Sequence, residues 1–266
     1  MANEDMTFRY DHVCARTCLC KQEVRKPSQN AAQDCAKMQG CINDDLRADG
    51  LWKGWGFLVD TWNVDSLTGR AGEVVEALSD RKVDVACIQE TRWKSSGCKF
   101  YGTKSKRYRL FWMGGVERSD SVGIFIAEKW VHSVISVERH SKRLLILKMV
   151  LDSGLLNVLT IYDRHSKKPE EKKDSFWNEL FHLMNSVPQN EMAVLAGDLK
   201  GHVVSSNVGY DGTHDGFGYG DRNADGFRIL EFADGLNLVI CHTLFMKQES
   251  QLVTYVAGPV KLWFII

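Results

Sequence analysis

Short apolar runs that end in a polar side chain limit the fold of this chain more than any other feature of its sequence. Three of them are Phe57–Val64, Val83–Gln89 and Met192–Ala196, and the second reads VDVACIQ. Apolar runs of this length, bounded by turn residues, are typical of buried strands. Val83–Gln89 has apolar residues at successive positions, which predicts a strand covered on both faces.

Further strand patterns and three helical patterns alternate along the chain after residue 56. The other predicted strands are Arg107–Trp112, Val122–Ala127, Val131–Val137, Leu144–Leu151, Leu155–Tyr162, Asn237–Cys241 and Leu252–Val256. The predicted helices are Glu73–Leu78, with Thr68 and Ser66 as candidate caps, Pro169–Val187, and Phe227–Ala233. Many strands and few helices predict an α/β protein in which sheets pack on each other and helices lie outside.

The first 55 residues differ from the rest in composition, and we expect them to be a Cys-rich, disordered leader. Five of the eight cysteines lie within the first 41 residues, where no hydrophobic period is sustained. The opening MANEDMTFRY has no apolar stretch like that of a signal peptide, so reduced thiols are expected. A zinc cluster is the alternative, but Cys14, Cys18 and Cys20 lack paired C-x2-C spacing. The predicted domain spans residues 56–261, followed by an unrelated apolar tail at 262–266.

The balance of charge limits the kinds of partner. Lysine plus arginine and aspartate plus glutamate number 34 each, so the net charge is zero. A chain held to nucleic acid by bulk positive charge is therefore not expected, although a local basic rim remains compatible with this balance. No apolar run approaches the roughly 20 residues that span a bilayer, so no membrane partner is expected.

Polar residues at the ends of three buried strands form the candidate site. Asn63 ends Phe57–Val64, Glu90 follows Val83–Gln89, and Asp198 follows Met192–Ala196. The carboxyl ends of strands are where α/β folds place their ligand sites. Two carboxylates with an amide form an all-oxygen set that suits Mg²⁺ or Mn²⁺ beside a substrate phosphate. The alternative is that these polar residues only mark the turns after strands.

The motifs around these residues carry a specific resemblance. Trp62-Asn63-Val64, Gln89-Glu90-Thr91, Ile161-Tyr162 and Gly197-Asp198-Leu199 occur in the order typical of the endonuclease/exonuclease/phosphatase superfamily. Together with stretches such as TWNVDSLTGR and DVACIQETRWK, they resemble the endonuclease domain of non-LTR retrotransposons over roughly residues 57–261. The resemblance implies a four-layer α/β sandwich, with two mixed sheets packed face to face and helices outside.

The resemblance also implies roles for individual residues in an Mg²⁺-dependent (or Mn²⁺-dependent) DNA endonuclease. Glu90 would hold the metal with Asn63 beside it, Tyr162 would stabilise the scissile phosphate, and Asp198 would deprotonate the attacking water. The catalytic set is therefore Tyr162, Asp198 and Asn63. The residues expected to contact the DNA phosphodiester backbone are Lys200, Arg92 and Trp93. Such a protein is expected to work in the nucleus, and the sequence indicates no protein partner.

Departures from the family pattern predict impaired catalysis. Lys200 stands where the family has an asparagine, and an ammonium cannot accept a hydrogen bond from a water. Asp163-Arg164 replaces the usual Ala-Pro after Tyr162. The family also continues with an Asp-Tyr strand and a Ser-Asp-His motif that do not occur in this sequence, so we expect the C-terminal strands of one sheet to be missing. The alternatives are a non-catalytic remnant that at most binds DNA, or a small-molecule phosphoesterase of the same superfamily.

Overall fold

The computed structural model describes residues 18–21, 57–117, 120–152, 154–163, 169–199, 201–203, 208–217, 222–244, 255–257 and 260–262. The strands begin with β1 (Cys18–Lys21), β2 (Val59–Asn63), β3 (Val85–Gln89), β4 (Ser96–Thr103), β5 (Lys106–Gly114), β6 (Ser121–Ala127) and β7 (Val134–Ser141). They continue with β8 (Leu144–Leu151), β9 (Gly154–Tyr162), β10 (Met192–Asp198), β11 (Leu238–Ile240), β12 (Tyr255–Ala257) and β13 (Val260–Leu262). The α-helices are α1 (Ala71–Asp80), α2 (Glu170–Asn185) and α3 (Ala224–Gly235), and 3₁₀ helices span Glu128–Ser133 and Cys241–Leu244.

Two mixed sheets form the centre of the domain. One has five strands in the order β2-β3-β6-β5-β4, and the other has six in the order β11-β1-β10-β9-β8-β7. Each sheet contains one parallel pair, β2 with β3 and β9 with β10, and its other pairs are antiparallel. β12 and β13 form a separate two-stranded ribbon.

Alternating side chains of the buried strands divide between an inner core and two outer cores. In β3, Val85 and Cys87 point into the core between the sheets, while Ala86 and Ile88 pack on the side of α1. The same division holds in β10. Val194 and Ala196 point into the core between the sheets, and Ala193 and Leu195 pack on the side of α2 and α3. This alternation explains why these strands are apolar at every position before the last. The layers are therefore α1, the five-stranded sheet, the six-stranded sheet, and α2 with α3, which confirms the predicted four-layer α/β sandwich.

The parallel pairs bring the carboxyl ends of four strands to the same edge of the sandwich. β2 and β3 end at Asn63 and Gln89, and β9 and β10 end at Tyr162 and Asp198. We call this the carboxyl edge, and the opposite edge, where these strands begin, the amino edge.

Several elements differ from their predicted form. β4 was not predicted, because it is an edge strand whose side chains are mostly exposed and show no alternation. The run Val131–Val137 is wrong as a single strand, since the chain makes a 3₁₀ turn through Ser133 before β7 begins. Neither Thr68 nor Ser66 caps α1, whose N-cap is Arg70 without a side-chain hydrogen bond.

In the helix α2, helical spacing predicts an apolar stripe of Phe176, Trp177, Leu180, Phe181 and Met184, and most of it is kept. Phe176, Leu180 and Met184 are buried against the six-stranded sheet, but Phe181 is 43% exposed and lies outside this stripe. Leu183 takes its place in the core, since it lies three residues after Leu180 on the same helix face.

Most of the predicted leader lies outside the described residues, and one short part of it belongs to the sheet. β1 pairs antiparallel with β10 on one side and with β11 on the other, so that β10 is not an edge strand. This differs from the expectation that all of residues 1–55 lie outside the domain. The physical reason is that β9 hydrogen-bonds to one side of β10. The backbone N–H and C=O groups on the other side of β10 need a second partner strand. At the other end, Leu262 of the predicted tail pairs with Tyr255, while residues 263–266 fall outside the described ranges.

Within the part of the chain that the structure describes, no helix combines the length and apolar character that crossing a bilayer requires.

Candidate active site

Four of the predicted site residues meet at the carboxyl edge, two from each sheet. The Asn63 Nδ2 amide donates to Glu90 Oε1 at 2.9 Å and to Asp198 Oδ2 at 2.8 Å. The Tyr162 hydroxyl donates to the same Glu90 oxygen at 2.8 Å. Asp198 and Tyr162 are almost fully buried, whereas the Glu90 side chain is 21% exposed. The two carboxylates thus converge on one amide nitrogen, and the site opens to solvent at Glu90.

The register of β9 and β10 sets Asp198 beside Tyr162. These two residues are partners at the end of the parallel pair, one step after Gly197 and Ile161. A Cβ at position 197 would collide with the Ile161 carbonyl oxygen, so a glycine is needed for this close approach. The Asp163 N–H then donates to the Asp198 carbonyl at 2.9 Å and continues the pairing past the strand end.

The loops that follow β2 and β3 hold strained backbone at the site. Asp65, Glu90, Arg92 and Ser95 all have φ between 54° and 58°, a region that non-glycine residues rarely adopt. Each such residue costs on the order of 1 kcal/mol or more, and persists only when its surroundings fix it. Here the Arg92 N–H donates to Ser121 Oγ at 2.6 Å, which attaches the loop to β6.

The predicted DNA contact Arg92 lies at the rim of the site. Its guanidinium pairs with Asp65 and approaches Glu90 Oε2 at 3.5 Å, and 45% of its side chain is exposed. It is therefore a cation within reach of both solvent and the site carboxylate.

Of the other two predicted DNA contacts, Trp93 does not join this group. The Trp93 ring packs on the α1 side of the five-stranded sheet, 5.1 Å from Trp112 and 6.1 Å from Tyr101 between ring centroids. Lys200 lies outside the described residues, two positions after Asp198.

A buried polar network directly beneath the site was missed by sequence reasoning. The fully buried Gln89 amide donates to Thr61 Oγ1 at 3.1 Å and, across the inter-sheet core, to Thr160 Oγ1 at 3.2 Å. It ties β3 to β2 and to β9, one residue before Glu90. A glutamine within an otherwise apolar strand was the one signal for it, since a buried amide needs partners.

Asn63 contacts the carboxylates through its amide nitrogen, not its oxygen. Its Oδ1 accepts from the Asp65 N–H at 3.1 Å, and the reverse orientation would set an acceptor against two carboxylate oxygens. A hard cation binds oxygen, so the role of Asn63 as a direct metal ligand requires the opposite amide orientation and stays a prediction. In the orientation described, the amide joins the two carboxylates.

The donor set suits a hard divalent cation that keeps most of its water. Glu90 and Asp198 supply two convergent carboxylates, and Mg²⁺ commonly binds through one or two carboxylates with waters and substrate phosphate. No cluster of three or more His, Cys, Asp or Glu side chains suited to a metal occurs in the described ranges, so no cage of protein ligands is formed there. Cys87, although close in sequence, is not a candidate, because burial raises the pKa of its thiol far above the usual range.

A second polar stretch, at Asp221–Gly226, superficially resembles a calcium loop, but its described residues have structural partners. Asn223 caps α3 by accepting from the Gly226 N–H at 2.7 Å, and Asp225 pairs with Lys173 of α2 at 2.9 Å. Asp221 lies outside the described residues.

Comparison with known proteins agrees with the resemblance predicted from the motifs. Craniofacial development protein 2 from Tragulus javanicus is 23% identical over 232 residues, which cover 86% of this chain and 37% of that protein. The protein of the same name from Bos taurus is 24% identical over 201 residues, covering 75% of this chain and 33% of its own length. The chain therefore spans about a third of the length of these curated relatives. No protein-family model matches it.

Among solved structures, a similar one is the endonuclease domain of TRAS1, a telomere-specific non-LTR retrotransposon. It is 13% identical, with a TM-score of 0.48, and the match covers 77% of this chain and 80% of that domain. The chain is thus similar to craniofacial development protein 2 over most of its own length.

Proposed function

We propose that the carboxyl edge is the site of a divalent-metal-dependent phosphodiesterase that acts on DNA as an endonuclease. The observation that carries this proposal is the convergence of Glu90 and Asp198 on the Asn63 amide, with the Tyr162 hydroxyl on the same Glu90 oxygen. Residues from both sheets build this group, and it opens to solvent where a large substrate has access.

Mg²⁺ or Mn²⁺ is the cofactor that this donor set fits. Glu90 would hold it, with Asp198 close by and Asn63 fixing both carboxylates. When bound, such an ion neutralises charge on a phosphate and orients water beside it. The Arg92 guanidinium, already 3.5 Å from Glu90, supplies a fixed positive charge on the same rim.

The remaining residues act on the phosphodiester and on the attacking water. Asp198 is a buried carboxylate at the end of a rigid strand. It takes the proton from the attacking water while the oxygen of that water bonds to phosphorus and the P–O bond to the leaving sugar breaks. Tyr162 holds Glu90 in place and borders the phosphate position. Arg92 donates to a non-bridging phosphate oxygen.

We further propose that Lys200 makes turnover slow. An asparagine at this position can both donate to a phosphate and accept from water, whereas a lysine only donates. Replacing a preorganised polar group at a phosphoryl-transfer site commonly lowers the rate by about a hundredfold or more.

The test is nicking of supercoiled plasmid by the full chain in 5 mM MgCl₂, with EDTA as the blank. The Lys200→Asn variant is the sensitised background, expected to nick faster than the natural sequence. Asp198→Asn and Glu90→Gln in that background should each lower the rate about a hundredfold or more. The matched control is Glu191→Gln, a carboxylate at the amino edge, measured where the variant remains folded.

Three outcomes would contradict the proposal. EDTA-resistant nicking, or nicking that survives Glu90→Gln, would remove the metal site. Hydrolysis of inositol phosphates without DNA cleavage would identify a small-molecule phosphoesterase instead. DNA binding without any cleavage in the Lys200→Asn background would identify a non-catalytic remnant.

A DNA substrate also leads us to propose that the protein works in the nucleus. Imaging of an epitope-tagged chain checks this, and exclusion of the tag from the nucleus would contradict it.

A further inference from the structure

The stretch from Thr91 to Val116 is the most unevenly charged part of a chain whose net charge is zero. It contains seven lysines and arginines and no aspartate or glutamate. It begins at the site loop with Arg92 and continues through the hairpin of β4 and β5. Aromatic residues are interleaved with the cations, a composition typical of surfaces that contact nucleic acid.

One face of the hairpin gathers two of these cations with two aromatic rings. The register pairs Phe100 with Arg109, Gly102 with Arg107, and Cys98 with Phe111, so these side chains share a face. Phe111 belongs to the inter-sheet core and is 7% exposed, whereas Phe100 is half-buried and Arg107 is exposed. We call Phe100, Arg107, Arg109 and Phe111 the guanidinium strip.

The rings hold the guanidinium groups in place. Arg107 Cζ lies 4.3 Å from the Phe100 ring centroid, and Arg109 Cζ lies 5.5 Å from Phe100 and 5.0 Å from Phe111. A guanidinium over an aromatic face keeps its N–H groups directed outward in its own plane, where they match phosphate oxygens. Less rotamer freedom is then lost when an anion binds.

Within the described ranges, the charge of Arg109 is not balanced by an acidic side chain. Among the described residues no carboxylate lies within ion-pair distance of it, and its side-chain hydrogen bond goes to Cys98 Sγ at 3.4 Å. Arg107 is only partly balanced, by Glu128 at 3.1 Å, with both side chains exposed. An exposed ion pair of this kind contributes little and exchanges readily.

The strip leads away from the site. The hairpin's open end contacts the site loop, where the Gly114 N–H donates to the Ser95 carbonyl at 2.8 Å and Gly114 pairs with Ser121. From Ser96 to Gly102 the strand extends about 20 Å at 3.4 Å per residue. This corresponds to about six phosphate steps along one strand of duplex DNA.

We propose that the guanidinium strip binds the DNA phosphate backbone beyond the scissile position, as a sequence-independent track. This inference rests on the proposed function, since it assigns a second contact for the same substrate. Its partner is DNA because the strip offers ring-stacked guanidinium groups, of which Arg109 has no carboxylate partner among the described residues, on a hairpin whose open end contacts the proposed phosphodiesterase site.

The test measures DNA binding without catalysis. Fluorescence anisotropy of the full chain with a 20-base-pair labelled duplex, in EDTA and from 50 to 200 mM KCl, gives affinity and its salt dependence. Arg109→Gln should weaken binding several-fold and lower the slope of log K against log salt by about one. Arg109→Lys should keep that slope while losing part of the affinity, because charge remains but ring stacking is weakened. The matched control is Lys172→Gln, which removes an exposed charge from α2 in the opposite outer layer.

The outcomes separate this inference from the proposed function. If Arg109→Gln weakens DNA binding and Lys172→Gln does not, the DNA-binding role of the strip is supported even when no nicking is detected. If both variants bind like the natural chain while Mg²⁺-dependent nicking is seen, the strip is overturned and the proposed function stands. Competition by polyglutamate as strong as by unlabelled DNA would overturn the choice of DNA. Thermal unfolding of each variant checks that Arg109→Gln has folded, and Arg109→Lys provides the test if it has not.

Discussion

The two edges of the sandwich both bury carboxylates, but they surround them differently. At the amino edge Asp84, which is 2% exposed, accepts from the Leu58 N–H and the Trp130 Nε1–H, each at 2.8 Å, and pairs with Lys129 at 2.6 Å. Glu191 on the same edge pairs with Lys148 at 2.8 Å and accepts from Asn157 at 2.9 Å. Each of these carboxylates has its own lysine.

At the carboxyl edge Glu90 and Asp198 share one amide, and among the described residues Glu90 pairs with Arg92 at 3.5 Å, itself paired with Asp65. The backbone of Glu90 and Arg92 is also held at positive φ, whereas Asp84 and Glu191 have ordinary φ values. Buried charges that only stabilise a fold are paired and hydrogen-bonded locally. Under the proposed function, the convergent carboxylates Glu90 and Asp198 receive an added cation, and the contrast separates them from the acids with a structural role at the amino edge.

Removing Asp84 is expected to give the largest change in stability. Asp84→Ala leaves a buried backbone N–H and an indole N–H without an acceptor, which should lower the free energy of unfolding by about 3 kcal/mol. Urea unfolding followed by tryptophan fluorescence measures this. Asp80→Ala is the control, because the exposed Asp80–Lys106 pair should contribute within about 0.5 kcal/mol. Equal losses in the two variants would contradict the structural role assigned to the amino edge.

Adding Mg²⁺ should give the next largest effect and should act at the carboxyl edge alone. At free Mg²⁺ tenfold above its Kd, the gain in unfolding free energy is about 1.4 kcal/mol, which appears as a higher Tm. Glu90→Gln should abolish this gain without lowering the Tm of the metal-free chain, since it removes one of two convergent charges. Glu191→Gln should lower the metal-free Tm but keep the Mg²⁺-dependent rise. A rise that persists in Glu90→Gln would show that the metal binds elsewhere.

The contrast between edges also shows how much of the molecule follows from sequence. Strands such as β3 and β10 are apolar at every position before the last because layers cover both faces, and a pattern of this kind is visible without a structure. β4 is not visible, because an edge strand with exposed serine, cysteine and lysine has no period. The 3₁₀ turn before β7 was read as strand, since Trp130 and Val131 pack against the same inner core as the strand residues.

For the site, residue types and strand ends were predictable, whereas hydrogen-bond directions were not. That Asn63, Glu90, Tyr162 and Asp198 come together follows from two parallel pairs ending at one edge. The orientation of the Asn63 amide and the reach of Gln89 to Thr160 depend on how one sheet is positioned on the other. The position of one sheet on the other is set by the whole inner core, so no short sequence pattern predicts it. The pairing of β1 with β10 likewise depends on backbone groups that any sequence carries.

His202 gives the smallest expected effect, a dependence of the free energy of unfolding on pH. His202 follows Asp198 by four positions, and its burial lowers the pKa of its imidazole below the usual value of about 6.5. The unfolded chain therefore binds a proton that the folded chain does not between these two pKa values, so stability falls as pH drops through this window. Above pH 7 the imidazole is neutral in both states and contributes no pH dependence.

Urea unfolding at pH 8, 6.5 and 5 should show a smaller loss of unfolding free energy at acid pH in His202→Gln than in the natural chain. His132→Gln, at an exposed position, is the matched control. An identical acid loss in the natural chain and in His202→Gln would mean that the chain owes its acid sensitivity to other groups.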